Sequence, residues 1–251
     1  MEPLSPSPRT TVRRGRNRAL DDRAELHAFL ADGLVAHVGV VAGDHPVVLP
    51  CAYAVDVSGP DAGGTLYVHG SVAARWLQHA TDRTVCVTVT ELDGLVLARS
   101  GFHHSMNYRS AVVIGTARLV TDDAERSRAL DAIVDHMAPG RSSALRRPTR
   151  KELAATAVLA VPLHEASMKR RAGAPVDEPA NVAAGGWAGH VPLVRVARTP
   201  VTAEDARGPV PEHVMARAAA LGADVRDVAA GKSEAGKSPA GKSPAGKPAV
   251  A

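Results

Sequence analysis

Residues 85–90 read VCVTVT, and this run constrains the fold more than any other stretch of the chain. Side chains alternate between the two faces of a strand, so the three valines fall on one face and Cys86, Thr88 and Thr90 on the other. That is the pattern of a half-buried strand. Strand signals recur on both sides of it: residues 66–69 form a short strand, and AVVIGTARLV at 111–120 is a second β-branched run. Residues 71–79 read as a one-to-two-turn helix carrying Arg75, and a polar knot occupies 100–110. A series of this kind builds a small antiparallel barrel.

In chain order, residues 1–17 are rich in Pro, Ser, Thr and Arg and are expected to form a disordered basic arm. Residues 21–32 predict a helix with Asp21 and Asp22 in its first turn and Gly33 at its end. The strands predicted at 34–41 and 47–57 pair as a hairpin. Pro50 has no N–H to give a ladder, which puts its position at an edge or a bulge. A helix with Thr121 as its cap follows, and then a short one with a capping box of Thr149 and Glu152. Residues 157–163 are another strand, and a Gly-rich loop closes on Trp187 and Pro192. A short helical extension is expected within 201–225. The AGKSP-type repeat at 226–251 has the composition of a flexible tail.

Net charge is +4, but much of the excess lies in four arginines near the start and four lysines near the end, so nucleic acid is not the expected partner. No window approaches the ~18 apolar residues of a membrane helix, and no signal-peptide core is present. A cytoplasmic protein is expected. Cys51 and Cys86 lie in apolar runs and read as buried thiols.

Two segments have the chemistry of a phosphate-bearing ligand site. In the first, His69, Gly70 and Ser71 precede Arg75: Gly70 allows close backbone approach, Ser71 can cap the helix, and Arg75 projects from its first turns. An ordinary strand-to-helix turn with a solvated Arg is the bland alternative. In the second, SGFHHSMNYRS crowds polar groups between two apolar strands, as a water-exposed loop or a lined pocket would. No metal is expected there, because adjacent His side chains on a strand point to opposite faces and no Asp, Glu or Cys stands at a useful spacing. The G-x-S-x-G, G-x-G-x-x-G and P-loop motifs are absent.

VLPCAY, LYVHGSVAARWL, the NYRS-to-GTARLV segment, RRPTRKEL, SMKRRAG and WAGHVPL resemble, in order and spacing, the FMN-binding split-barrel superfamily of pyridoxamine 5'-phosphate oxidase. The likeness is to its flavin-nucleotide-binding, nitroimidazole-reductase-like branch. It implies one FMN-binding domain over residues 18–200, mainly β with flanking helices, built as a six-stranded antiparallel Greek-key split barrel. It further implies a homodimer with FMN at the subunit interface. His69 and Ser71 would stand near the flavin and Arg75 at its phosphate. Asn107, Arg109 and Ser110 would approach from the partner strand, Pro50 and Tyr53 would lie under the ring, and Trp187 would cover the cofactor of the other subunit. The implied activity is an FMN-dependent oxidoreductase passing electrons from a reduced nicotinamide through flavin to a small acceptor such as a nitro compound. His69 would be its catalytic proton donor. The alternative is a non-catalytic carrier or sensor holding flavin, deazaflavin or haem on the same barrel.

Overall fold

The computed structural model describes residues 3–4 and 7–223. The tail expected at 226–251 therefore lies outside the described residues. Among them, β1 (Ala19–Leu20) and α1 (Arg23–Asp32) are followed by β2 (Ala36–Ala42), β3 (His45–Cys51), β4 (Tyr53–Asp56) and β5 (Thr65–Ser71). Next come α2 (Arg75–Ala80), β6 (Arg83–Leu97), β7 (Ser105–Leu119), α3 (Asp123–Met137) and α4 (Arg150–Ala155). The chain continues through β8 (Thr156–Pro162), β9 (Ala166–Arg171), α5 (Pro179–Ala183), β10 (Gly189–Pro192) and α6 (Glu212–Ala220).

The centre is the antiparallel pair β6 and β7, each 15 residues long, with a register shift between Leu92 and Gly94. The valine periodicity decides which way β6 faces: Val85, Val87 and Val89 are buried, while Cys86 and Thr88 are half-buried and Thr90 is exposed. Each valine so buried contributes roughly 1.5–3 kcal/mol. Both long strands are shared between two partners. β2 and β10 pair along different parts of β6, and β9 and β8 along different parts of β7.

The main path runs β3-β2-β6-β7-β8-β5-β4. Its two ends, β3 and β4, are consecutive in sequence and separated only by Ala52, so the sheet must curl until its edges meet. They do not bond to each other, and the sheet is not closed: the seam is the split of a split barrel. Two expectations change here. The six-stranded count becomes ten among the described residues, and the single strand expected at 47–57 is cut at Ala52 into β3 and β4, which belong to opposite edges. Pro50 does lie on an edge strand.

The main core fills the inside of this curl with residues from β2, β4 to β9, α1 and α2. A second cluster packs Ala129 and Ile133 of α3 against Ala54, Tyr67, Val158 and Ala160. The cap of α3 is Asp122 rather than Thr121, its side chain accepting from the Glu125 N–H at 2.7 Å. The Thr149–Glu152 capping box forms.

The basic arm is docked over its described part. Ser7 Oγ and Arg9 donate to the Glu165 carboxylate, Leu4 packs on the core, Thr10 is buried, and Lys169 Nζ donates to Arg14 O. Composition signalled disorder because it contains no partner for these polar groups; the turn between β8 and β9 supplies one.

Candidate functional site

His69 lies on β5 opposite Val158 of β8 and is half-buried. Its ring makes no hydrogen bond among the described residues, and Nδ1 is hidden from solvent without a partner. Burial pushes its pKa below the usual imidazole value, so the ring is neutral at neutral pH. Gly70 is needed for contact with α2, since a Cβ there would sit 2.9 Å from Leu77 Cδ1. Ser71 Oγ accepts from the Ala73 N–H at 3.2 Å, closing a turn ahead of the helix. It does not cap α2, whose first residue is Arg75 and whose cap position is Ala74. Arg75 is exposed, and its guanidinium makes no hydrogen bond or ion pair among the described residues. Beside this segment, a cleft of about 350 Å³ opens between Val72, Leu77, Leu119 and Ala157.

The second group is arranged differently. Asn107 on β7 is buried, at 5% exposure; Nδ2 donates to Gly173 O at 3.2 Å, and Oδ1 accepts from Arg171 Nη1. Arg109 is held by carboxylates: Nε and Nη2 donate to both oxygens of Asp93, and Nη1 donates to Asp32 at 3.0 Å. Its guanidinium also lies 5.4 Å over the Phe29 ring. A guanidinium so neutralised is a structural clamp, with little charge left for the flavin or phosphate that the resemblance would have it approach. Ser110 is half-buried between Thr90 and Lys169.

Along the sheet these two groups stand apart. His69 is opposite Val158, next to the Leu159 that pairs with Leu119 at the end of β7. Arg109 lies ten residues earlier on the same strand, about 33 Å away along it at ~3.3 Å per residue. Pro50 and Tyr53 are also separated. Pro50 is exposed on β3, whereas Tyr53 is wholly buried, its hydroxyl donating to Leu30 O at 2.5 Å and Gly33 O at 3.0 Å. The Tyr53 ring packs 4.6 Å from that of His136, so it is a core residue and presents no face to a ligand. Trp187, between α5 and β10, is 70% exposed.

Sequence reasoning missed one further feature. His103 and His104 are not on a strand but at a 3-10 turn (Gly101–His103) and its end, and both line one cleft with Arg18, Arg170 and Arg171. The adjacent histidines and the KRR run were visible signals, but nothing in their spacing shows that the two meet. Among the described residues there is no group of three His, Cys, Asp or Glu side chains placed to hold a metal ion, and no helix is long and apolar enough to cross a membrane.

An open, curled antiparallel sheet with flanking helices is the architecture of a split barrel. The sequence profile of the pyridoxamine 5'-phosphate oxidase family matches residues 22–170, and the chain belongs to that family. Two similar solved structures cover almost their whole length. The flavocytochrome Anf3 of Azotobacter vinelandii is 34% identical with a TM-score of 0.78, over 85% of this chain and 98% of its own. The FAD and haem binding protein of Mycobacterium smegmatis is 39% identical with a TM-score of 0.73, over 80% of this chain and 97% of its own. Comparison with proteins of curated function found no match.

Proposed function

We propose that this protein is a cytoplasmic flavin-dependent redox protein that also binds haem. The observation that carries the reading is the identity of 34% and 39%, over 98% and 97% of their lengths, to a flavocytochrome and to an FAD and haem binding protein. It moves the haem alternative of the sequence reading from a substitute for flavin to its companion, and it favours FAD beside FMN as the flavin.

The residues present fit a flavin phosphate at the end of β5. Arg75 is an exposed cation with no acidic partner among the described residues, next to a serine-closed turn and a glycine that permits close approach. His69 offers an uncommitted neutral imidazole. With its pKa lowered, His69 serves at neutral pH as a neutral hydrogen-bond donor or proton acceptor, and the imidazolium needed for a strong general acid is scarce. When bound, flavin supplies two-electron uptake from a reduced nicotinamide and delivery to a small acceptor.

A homodimer completes the site in this reading. Asn107 and Ser110 lie too far along β7 to join His69 within one subunit, and a second copy can bring them there. An exposed apolar row supports that partner: Met106, Leu95 and Val191 stand opposite one another on β7, β6 and β10. Trp187 stands exposed beside Gly189, at the start of β10.

Mass spectrometry of cofactors released from the native full chain tests the proposal. A flavin together with haem is the expected result. A preparation that retains no flavin after expression in flavin-replete cells, and takes up none on titration, would refute it.

A further inference from the structure

We infer that the cleft between the 3-10 turns Arg16–Arg18 and Gly101–His103 and the end of β9 is the haem site, with His104 Nε2 as the iron ligand. Arg18 and Arg170 would face the propionates. This rests on the haem half of the proposed function.

The first observation is a fixed tautomer. His104 Nδ1 lies 2.9 Å from the backbone oxygen of Ser100, and a carbonyl oxygen only accepts, so Nδ1 carries the proton. Nε2 is thereby left as a bare lone pair on an exposed ring that lines the cleft. An imidazole oriented through Nδ1–H on a backbone carbonyl is the arrangement that presents Nε2 to a metal. His69 lacks this support, because its Nδ1 is buried without a partner.

The second observation is what surrounds that lone pair. The cleft encloses about 550 Å³, within the ~300–1,000 Å³ typical of ligand sites. Phe102 is 92% exposed, and with Ala172, Ala174 and Val176 it supplies apolar surface for a flat macrocycle. The guanidinium of Arg18 makes no hydrogen bond among the described residues, and that of Arg170 has only Glu25 at 4.0 Å. Arg171 is held by Asn107 Oδ1, Gly173 O and Ala174 O, none of which neutralises its charge. Of the two acids in the wall, Asp177 is taken by Arg99, and Glu178 stands 3.8 Å from His103. The balance is positive, as two carboxylates would require.

A bare metal ion does not fit. No group of three ligating side chains stands here, so the metal must bring its remaining ligands with it, as iron in haem does. A nucleotide phosphate would use the arginines but leave the oriented Nε2 without a role.

The test is titration of haem-free full-length protein with hemin, read by the Soret band and by affinity, with flavin content as the check on folding. His104→Ala should weaken binding on the order of ten- to a hundred-fold and shift the Soret band, and added imidazole should restore the wild-type spectrum. Arg18→Ala with Arg170→Ala should weaken binding while leaving the Soret position unchanged. His37→Ala, at an exposed imidazole on β2, should leave the haem spectrum intact. Wild-type haem affinity and spectrum in His104→Ala, or their loss in His37→Ala with flavin retained, would overturn this assignment and leave the flavin and haem reading standing. A wild-type protein that takes up no hemin would overturn both.

Discussion

Arg109 and Asp93 form a two-point ion pair, with the guanidinium Nε and Nη2 donating to the two carboxylate oxygens at 3.2 and 3.1 Å. The pair ties β7 to β6 across the register shift, and Asp32 adds the end of α1 to the same clamp. Hydrogen bonding to Asp93 raises the Arg109 pKa, so this cation never leaves the clamp by titration. Arg109→Ala should therefore lower stability by about 1 kcal/mol, as measured by urea denaturation, because the pair is partly exposed. Flavin affinity should stay within about twofold of wild type. A tenfold loss of flavin with unchanged stability would return Arg109 to the cofactor.

Arg75 should behave in the opposite way. Its guanidinium has no partner to lose among the described residues, so Arg75→Ala should leave the denaturation midpoint unchanged. A charge-assisted contact to phosphate contributes about 1.5–3 kcal/mol, so flavin affinity should drop roughly ten- to a hundred-fold. Fluorescence titration of the apoprotein decides it, and unchanged affinity removes Arg75 from the site.

The docked arm predicts a stability effect with no cofactor effect. Deleting residues 1–16 removes Leu4 from the core surface and the Ser7 and Arg9 contacts to Glu165. The expected loss is on the order of 1 to 2 kcal/mol. Glu165→Gln should reproduce only the polar part. Denaturation midpoints identical to wild type in both would mean that the arm contributes nothing to the fold.

Acid should destabilise this protein through two histidines. Burial lowers the pKa of both His69 and His136, and for His136 it outweighs the opposing hydrogen bond to Gly33 O. The folded state thus binds protons less readily than the unfolded chain, whose imidazoles titrate near 6.5. Stability is then full above that value and falls as the pH drops from it toward the lower folded pKa, by up to about 1.4 kcal/mol per pH unit for each group. His136→Gln should flatten the fall. Unfolding free energies that stay level between about pH 7.5 and 5.5 would contradict the sign.

The strands were legible in the sequence wherever burial alternates, as at Val85, Val87 and Val89, because a period of two is a local property. The split was not. Residues 47–57 read as one strand, and only tertiary pairing shows that Ala52 separates the two edges of the sheet. Ser71 and Thr121 were credible caps, yet Ser71 closes a turn of its own and Asp122 stands one residue closer to the helix. At the site, His69 and Arg75 were found because a strand, a glycine and a helix start adjoin in sequence. The cleft holding His104 draws on segments near residues 18, 104 and 171, and no local pattern joins them. Of the two grounds for expecting no metal at the His pair, the strand geometry does not hold, since His103 ends a 3-10 turn.

If this fold holds flavin and haem together, as proposed, reduced flavin is expected to pass electrons to the haem. Anaerobic titration of the full-length holoprotein with a reduced nicotinamide, followed in the flavin and Soret regions together, tests it most directly. The account predicts that the flavin band bleaches and the haem band then shifts to its reduced position. Bleaching with a Soret band that never moves, or a protein with no flavin band to bleach, would contradict it.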